Sequence, residues 1–236
     1  MLVIKNVTKK YKNNFELIIP KLELESNRIY ALLGKNGAGK STTIKVMLGI
    51  EKKDSGSIKM GEEDLFENRN KIGYVPDEPM LIEKLTGREQ LQYVSYIYDI
   101  DDNDISAECD GNNKTSEYIK MFELEDRMDK RIEEYSKGMK QKISIMSSMI
   151  HNPDILILDE PFTGLDPVSI INMKEWMRKF VKKENKMIIF SSHDLDVVND
   201  ICTDAIFLKK GKIVAIEENN EKRTFTEMFK DYLMEN

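Results

Sequence analysis

A chain of 236 residues that is 40% hydrophobic and 33% charged can bury one sizeable core or two small ones, which is the composition of a globular, well-solvated protein. Its net charge of −6 disfavours a nucleic-acid surface as the main partner, because such binding draws on basic patches. No apolar run approaches the ~20 residues of a bilayer-crossing helix, and Leu2-Val3-Ile4 meets Lys5 at once, so neither a membrane span nor a basic-then-apolar leader is expected.

In chain order, Leu2 to Val7 and Phe15 to Ile19 alternate as strands do, and Arg28 to Leu33 reads as a buried strand. That strand runs into Gly34-Lys35-Asn36-Gly37-Ala38-Gly39-Lys40-Ser41, followed by the helix-like stretch Thr42 to Leu48. The spacing G-x-x-x-x-G-K-[ST] lets the backbone curl so that consecutive amides point at phosphate oxygens, and the helix N-terminus behind them favours an anion. Lys40 is placed to reach the β and γ phosphates, and the Ser41 hydroxyl to join a magnesium ion, which prefers oxygen ligands and keeps waters. The plain alternative is a glycine-rich turn, which the order strand, loop, helix disfavours.

Ser57 to Met60 and Ile72 to Val75 add short strands. Helical periodicity then prevails from about residue 80 to 151, in Arg88 to Ile97, Lys114 to Phe122 and Lys140 to Ile150, with the acidic, turn-rich stretch Asp99 to Asn113 read as a solvated loop. After Asn152-Pro153, the buried run Ile155 to Leu158 delivers Asp159 and Glu160 at its carboxyl end, where open α/β sheets place ligands. Asp159 can hold magnesium through its water shell, and Glu160 can take a proton from an attacking water. A helix from Val168 to Lys182, a strand Met187 to Phe190, a hairpin from Ala205 to Leu208 and Lys212 to Ile216 through Lys209-Lys210-Gly211, and a last helix near Phe225 to Leu233 complete the chain. Cys109 and Cys202 form no metal spacing and fit a reducing cytoplasm; the 14 methionines read as core filler. No internal repeat appears.

The segment Tyr135-Ser136-Lys137-Gly138-Met139-Lys140-Gln141 separates the alternatives that the phosphate loop leaves open. Standing between the loop and Asp159-Glu160, with Gly164-Leu165-Asp166-Pro167 behind them, it resembles the Leu-Ser-Gly-Gly-Gln signature of the ATP-binding cassette (ABC) family. Ser136 and Gly138 match that signature, whereas Lys137 and Met139 depart from it. By itself the stretch would be an N-capped helix with Ser136 as cap.

The resemblance covers nearly the whole chain. It implies an α/β P-loop nucleoside triphosphate hydrolase fold, an ABC-type nucleotide-binding domain with an antiparallel β subdomain and an inserted helical subdomain. The nucleotide-binding core would be 1–79 and 152–236, and the helical signature subdomain 80–151. It also implies that Tyr11 stacks on adenine, that Gly34 to Thr42 hold ATP, and that His193, in Ser191-Ser192-His193-Asp194, contacts the γ phosphate. Ser136, Lys137, Gly138 and Met139 would bind the ATP held by a second subunit. Gly164, Leu165 and Asp166 would cross the dimer interface; otherwise Asp166 is a turn acid before Pro167. His151 reads as a helix-end residue. The family's magnesium-sensing loop normally carries glutamine; here Val75-Pro76 is followed by Asp77-Glu78-Pro79, and aspartate is a shorter, charged, acceptor-only side chain.

The resemblance therefore implies a magnesium-dependent ATPase with ATP and Mg2+ as its cofactors, working as a homodimer or pseudo-symmetric dimer. Its catalytic residues would be Glu160, His193 and Lys40, and its metal residues Ser41, Asp159 and Asp77. Such a subunit would sit in the cytoplasm, peripheral to the membrane through a separate permease, and Pro76 to Pro79 with the altered signature look like the branch that powers bacterial exporters. The rival is a soluble ATPase of the same fold acting on ribosomes or DNA. Relatives of that kind usually carry two cassettes or a long coiled coil, neither of which is present here.

Overall fold

The computed structural model describes residues 1–12, 14–100, 114–183, 185–220 and 222–234. The part of the expected acidic loop at 101–113, with Cys109, lies outside the described residues. The chain divides into two compact units, Met1–Arg69 with Phe180–Asn236, and Asn70–Lys179.

The first unit is sheet-dominated. Strands β1 (Leu2–Lys10) and β2 (Glu16–Leu24) pair antiparallel with Leu2 opposite Leu24, Ile4 opposite Leu22 and Val7 opposite Ile19. These six side chains are all buried, so the register is fixed by one apolar face. Strand β1 runs past Val7 to Lys10, where pairing with Leu17 and Glu16 continues although its own residues no longer alternate, and β2 runs past Ile19 to Leu24, where Leu22 and Leu24 rejoin the buried face beyond the exposed Pro20 and Lys21. The backbone ladder sets strand length there, whereas the side-chain pattern sets only the buried face.

Strand β3 (Arg28–Leu33) is buried from Ile29 to Leu33. After it come α1 (Lys40–Met47), β4 (Ser55–Met60) and the short β5 (Glu63–Asp64), with β4 pairing antiparallel to β1 on one side and to β5 on the other. Entry to β3 is held by Asn27, which has φ 64° and donates from Nδ2 to the carbonyls of Val181 and Lys183 at 2.7 Å each.

The second unit opens with β6 (Ile72–Val75) and α2 (Gly87–Ile97), the helix capped by a reciprocal Thr86–Glu89 box. Helices α3 (Lys114–Met121) and α4 (Lys137–Met149) lead to β7 (Ile155–Leu158), which pairs parallel with β6, and to α5 (Pro167–Val181). Two short 3-10 turns, Glu125–Arg127 and Ile132–Glu134, occupy a stretch for which periodicity gives no prediction. His151 stands just past α4, as expected of a helix-end residue. Its ring stacks on Tyr98 with centroids 3.9 Å apart and an interplanar angle of 3°.

The chain returns to the first unit with β8 (Met187–Ser191), which pairs parallel with β3. Helix α6 (Leu195–Ile201) follows; at seven residues it is too short to show a period in the sequence, and it is set instead by Asp194, whose side chain accepts from the amides of Asp196 and Val197. Strands β9 (Asp204–Lys209) and β10 (Lys212–Glu218) form the expected hairpin, with β9 parallel to β3 on its other side. The last helix is α7 (Phe225–Phe229), which passes into a π turn at Lys230–Met234. Strand β3 thus lies buried between β8 and β9, and its carboxyl end opens onto residue 34.

Candidate functional site

In the first unit, the turn after Leu33 brings Gly34 to Gly39 round to the start of α1. Gly39 has φ 106°, a region closed to most side chains, and a Cβ there would lie 2.7 Å from Cζ of Phe15. The loop can therefore close only with glycine at this position. Lys35, Asn36 and Gly37 are exposed, Ala38 is buried, and Ser41 is exposed on the first turn of α1. Lys40 is buried; its ammonium donates to the Gly34 carbonyl at 3.0 Å, and its Nζ lies 3.4 Å from Nε2 of His193. The structure thus brings Lys40 and His193 together from elements 153 residues apart, at the ends of the neighbouring parallel strands β3 and β8.

Tyr11 stands just beyond β1, half-buried. Its hydroxyl reaches Thr42, its ring tilts at 54° against Phe15 with centroids 5.9 Å apart, and Lys9 Nζ lies 5.4 Å over the ring. Burial first, and then the carboxylate of Glu51, push its hydroxyl pKa up, so it remains a neutral phenol. Phe15 is a residue that sequence reasoning missed: it touches both Tyr11 and the Gly39 turn. The available signal was an aromatic four residues after Tyr11 at the start of a strand.

In the second unit, β7 buries Ile155 to Leu158 and ends with Asp159, also buried, whose amide donates to the Val75 carbonyl at 2.9 Å. Glu160 follows with φ 49°. A non-glycine residue in this left-handed region costs about 1–2 kcal/mol, and it ends the strand geometry directly after Asp159. The Glu160 carbonyl accepts from the Thr163 amide at 3.2 Å, closing the turn. Asp77 is exposed, on the loop that leaves β6. It faces the same phenol as Asp159: Tyr74 is pushed up to about 12 by burial first, then by Asp159 and Asp77.

Ser136 is exposed and caps α4, its Oγ accepting from the Met139 amide at 3.2 Å. An Oγ that accepts from its own helix still has its hydrogen to donate to an anion. Lys137 is exposed beside it, while Gly138 and Met139 are half-buried in the first turn. Gly138 packs face to face with the 164–166 loop: a Cβ on it would lie 2.5 Å from the Gly164 carbonyl oxygen. Leu165 is half-buried, and Asp166 begins α5 by accepting from the Ser169 amide at 2.9 Å and the Ser169 hydroxyl at 2.6 Å. Those bonds, followed by Lys142 at 2.9 Å, hold the Asp166 carboxyl well below the usual carboxylate range, so it stays ionised at neutral pH. Asp166 is therefore both a turn acid before Pro167 and the partner of a lysine on α4. Gln141, which donates to the Pro161 carbonyl, was legible only as the end of the signature segment, and Lys142, which meets Asp166, only as part of the helical stretch Lys140 to Ile150.

Among the described residues no three His, Cys, Asp or Glu side chains gather as a metal cage. That fits magnesium bound with a nucleotide, because the ion takes one or two protein oxygens and completes its octahedron with phosphates and water. Ser41 Oγ in the first unit and the Asp159 carboxylate in the second are each an oxygen donor of the kind magnesium prefers.

A strand ending in a glycine-rich turn, a buried lysine within that turn and a serine on the following helix define a nucleoside triphosphate-binding protein. The ABC transporter family matches residues 19–163 of the chain. The chain is 36% identical over 227 residues to the uncharacterized ABC transporter ATP-binding protein YhaQ of Bacillus subtilis (strain 168), covering 95% of this chain and 74% of that protein. It is 34% identical over 241 residues to the lantibiotic transport ATP-binding protein SrtF of Streptococcus pyogenes, covering 99% of this chain and 98% of SrtF. A solved ATP-binding subunit of an ABC transporter superposes with a TM-score of 0.88 at 27% identity, over 98% of this chain and 99% of that one.

The chain belongs to the ABC transporter family. It is an ABC ATPase, the ATP-binding subunit of a transporter, and uses ATP with Mg2+. Among the described residues no helix is long and apolar enough to cross a membrane.

Proposed function

We propose that this subunit works as an ATP-dependent dimer that drives a separate membrane permease in the direction of export. Each phosphate loop, Gly34 to Thr42, holds an ATP on which Tyr11 stacks, with the signature of the other copy, Ser136 to Met139, closing over the γ phosphate. Glu160 takes the proton of the attacking water, while Lys40 and His193 balance the charge that develops on the transferred phosphoryl group. Asp159 and Ser41 hold magnesium, and Asp77 approaches it through water. On this reading 1–79 and 152–236 form the nucleotide-binding core, and 80–151 the helical signature subdomain.

The observation that carries the shared site is the exposed start of α4: Ser136 and Lys137 face solvent together at a helix N-terminus, beside a loop seated on Gly138. Support for the permease comes from exposed apolar side chains of the same unit. Met80 and Tyr96 are each 84% exposed, and Ile82, Tyr93 and Ile97 are also exposed. Gln90 Oε1 accepts from the Ile82 amide at 3.0 Å and so ties the loop bearing Met80 and Ile82 to α2. Several large apolar side chains left exposed this way suit a protein partner. Transport is what the name of SrtF states for that relative, and export rests on Pro76-Asp77-Glu78-Pro79 and the altered signature. The subunit would then lie on the cytoplasmic face of the membrane, held there by the permease.

Two measurements test this reading. In a Glu160→Gln background, Ser136→Ala is expected to weaken ATP-dependent dimerisation about tenfold while monomer affinity for ATP changes less than about twofold, consistent with loss of one charge-assisted hydrogen bond. Equal loss of both would contradict a shared site. Separately, the chain is expected to co-purify with a multi-helix membrane protein, and Tyr96→Glu to abolish that capture while leaving ATP turnover of the isolated subunit in place. Salt-sensitive binding to ribosomes or DNA in its stead would replace the permease with the rival partner.

A further inference from the structure

Three successive inward positions of α4 meet the segment that follows Glu160. Gly138, Gln141 and Lys142 stand at i, i+3 and i+4, so they share one helix face. Gly138 lies against the Gly164 carbonyl with no room for a Cβ, and Gln141 Nε2 donates to the Pro161 carbonyl at 3.5 Å in a buried setting. Lys142 Nζ lies 2.9 Å from Oδ2 of Asp166.

The lysine is the unusual member. Its side chain is 9% exposed, whereas that of Asp166 is 48% exposed. A lysine so far out of water needs a fixed counter-charge, because an unpaired buried ammonium is strongly disfavoured. The pair is thus unlike a surface ion pair between two solvated chains, which contributes little. Asp166 is itself fixed by both bonds from Ser169, so the pair connects α4 to the start of α5 through the loop between.

We propose that Lys142 is a positioning residue that fastens the 164–166 loop to the head of α4, so that the anion site at Ser136 to Met139 and the loop engage a second copy as one rigid body. The inference rests on the reading that both segments meet a second subunit. It adds a consequence: Pro161, one residue after Glu160, is held by the same helix face, so the base assigned to one ATP is mechanically connected to the signature offered to the other. Loosening Lys142 slows the chemistry without touching nucleotide binding at the phosphate loop.

Lys142→Met is the suitable variant, since it removes the buried charge and leaves a half-solvated carboxylate; Asp166→Asn does the reverse and strands the ammonium. In steady-state ATP hydrolysis, Lys142→Met is expected to lower kcat about tenfold with KM changed less than about twofold, and Lys142→Arg to recover most of the loss. In an Asp166→Asn background, Lys142→Met should cost nothing more, because the pair is already broken. Hydrogen exchange at the amides of Leu165 and Asp166 should quicken about tenfold in Lys142→Met.

An unchanged kcat, an additive double variant, or failure of Lys142→Arg to recover activity overturns the proposal. Should Lys142→Met not fold, Lys142→Gln and the charge-free double variant Lys142→Met/Asp166→Asn carry the same comparison. Absence of turnover in the unaltered protein would strike the shared-site reading, whereas unchanged loop exchange in Lys142→Met would strike this inference alone.

Discussion

Glu160→Gln is expected to abolish steady-state ATP hydrolysis, lowering kcat by a factor of about 10²–10⁴, while ATP affinity stays within about twofold. The substitution keeps the size of the side chain and removes only its capacity to accept a proton. The left-handed backbone at φ 49° is retained because glutamine is no less tolerant of it than glutamate, so the turn through Thr163 persists. Phosphate release by the purified protein, beside nucleotide affinity by calorimetry, separates the two quantities. Normal hydrolysis by this variant would show that Glu160 is not the base. A companion variant, Glu160→Gly, relieves the backbone and is expected to raise stability by up to about 1 kcal/mol while remaining inactive, as befits a strained residue retained for its chemistry.

The second large effect is expected at Lys40. Lys40→Met keeps the length of the buried stem and removes the ammonium that donates to the Gly34 carbonyl and stands 3.4 Å from His193. A charge-assisted hydrogen bond to phosphate contributes about 1.5–3 kcal/mol, so ATP affinity should fall by about 10- to 150-fold. The fold should survive, since an uncharged stem in a buried site has no desolvation to offset. Adenosine, which has no phosphate, should bind the variant and the unaltered chain alike, through Tyr11. Unaltered ATP affinity in Lys40→Met would place the phosphates elsewhere. On the proposed reading, His193 stands at the γ-phosphate end of the loop because its Nε2 lies 3.4 Å from the Lys40 ammonium.

Much of the site was legible because its chemistry is local. Gly34 to Ser41 form a cradle by their own backbone and the helix that follows, and a run of eight residues is enough to specify it. Asp159 and Glu160 were legible because two carboxylates directly after an apolar strand run stand out in the sequence at the strand's carboxyl end. Ser136 was legible both as a helix cap and as an anion donor, and the structure has it capping α4 with its hydroxyl exposed. Helix α6 was not legible, because seven residues cannot display a 3.6-residue period. The end of β1 was not legible either, since backbone pairing extends it past its alternating face, and in β2 the exposed Pro20 and Lys21 interrupt the alternation before Leu22 and Leu24.

The sequence by itself determined the family, the phosphate cradle and the identity of the charged groups, because these depend on residue types at fixed spacing along one stretch of chain. Only the tertiary structure decided which residues meet across long separations: Phe15 beneath the Gly39 turn, His193 beside Lys40, and Lys142 against Asp166. The reason is physical. Parallel pairing of β3 with β8 brings two strand ends together regardless of the residues between them, and the register of α4 on the 161–166 segment depends on a missing Cβ at Gly138 and a buried ammonium finding its counter-charge. Neither a strand neighbour nor the partner of a buried charge is encoded in local spacing; each is fixed when the core closes.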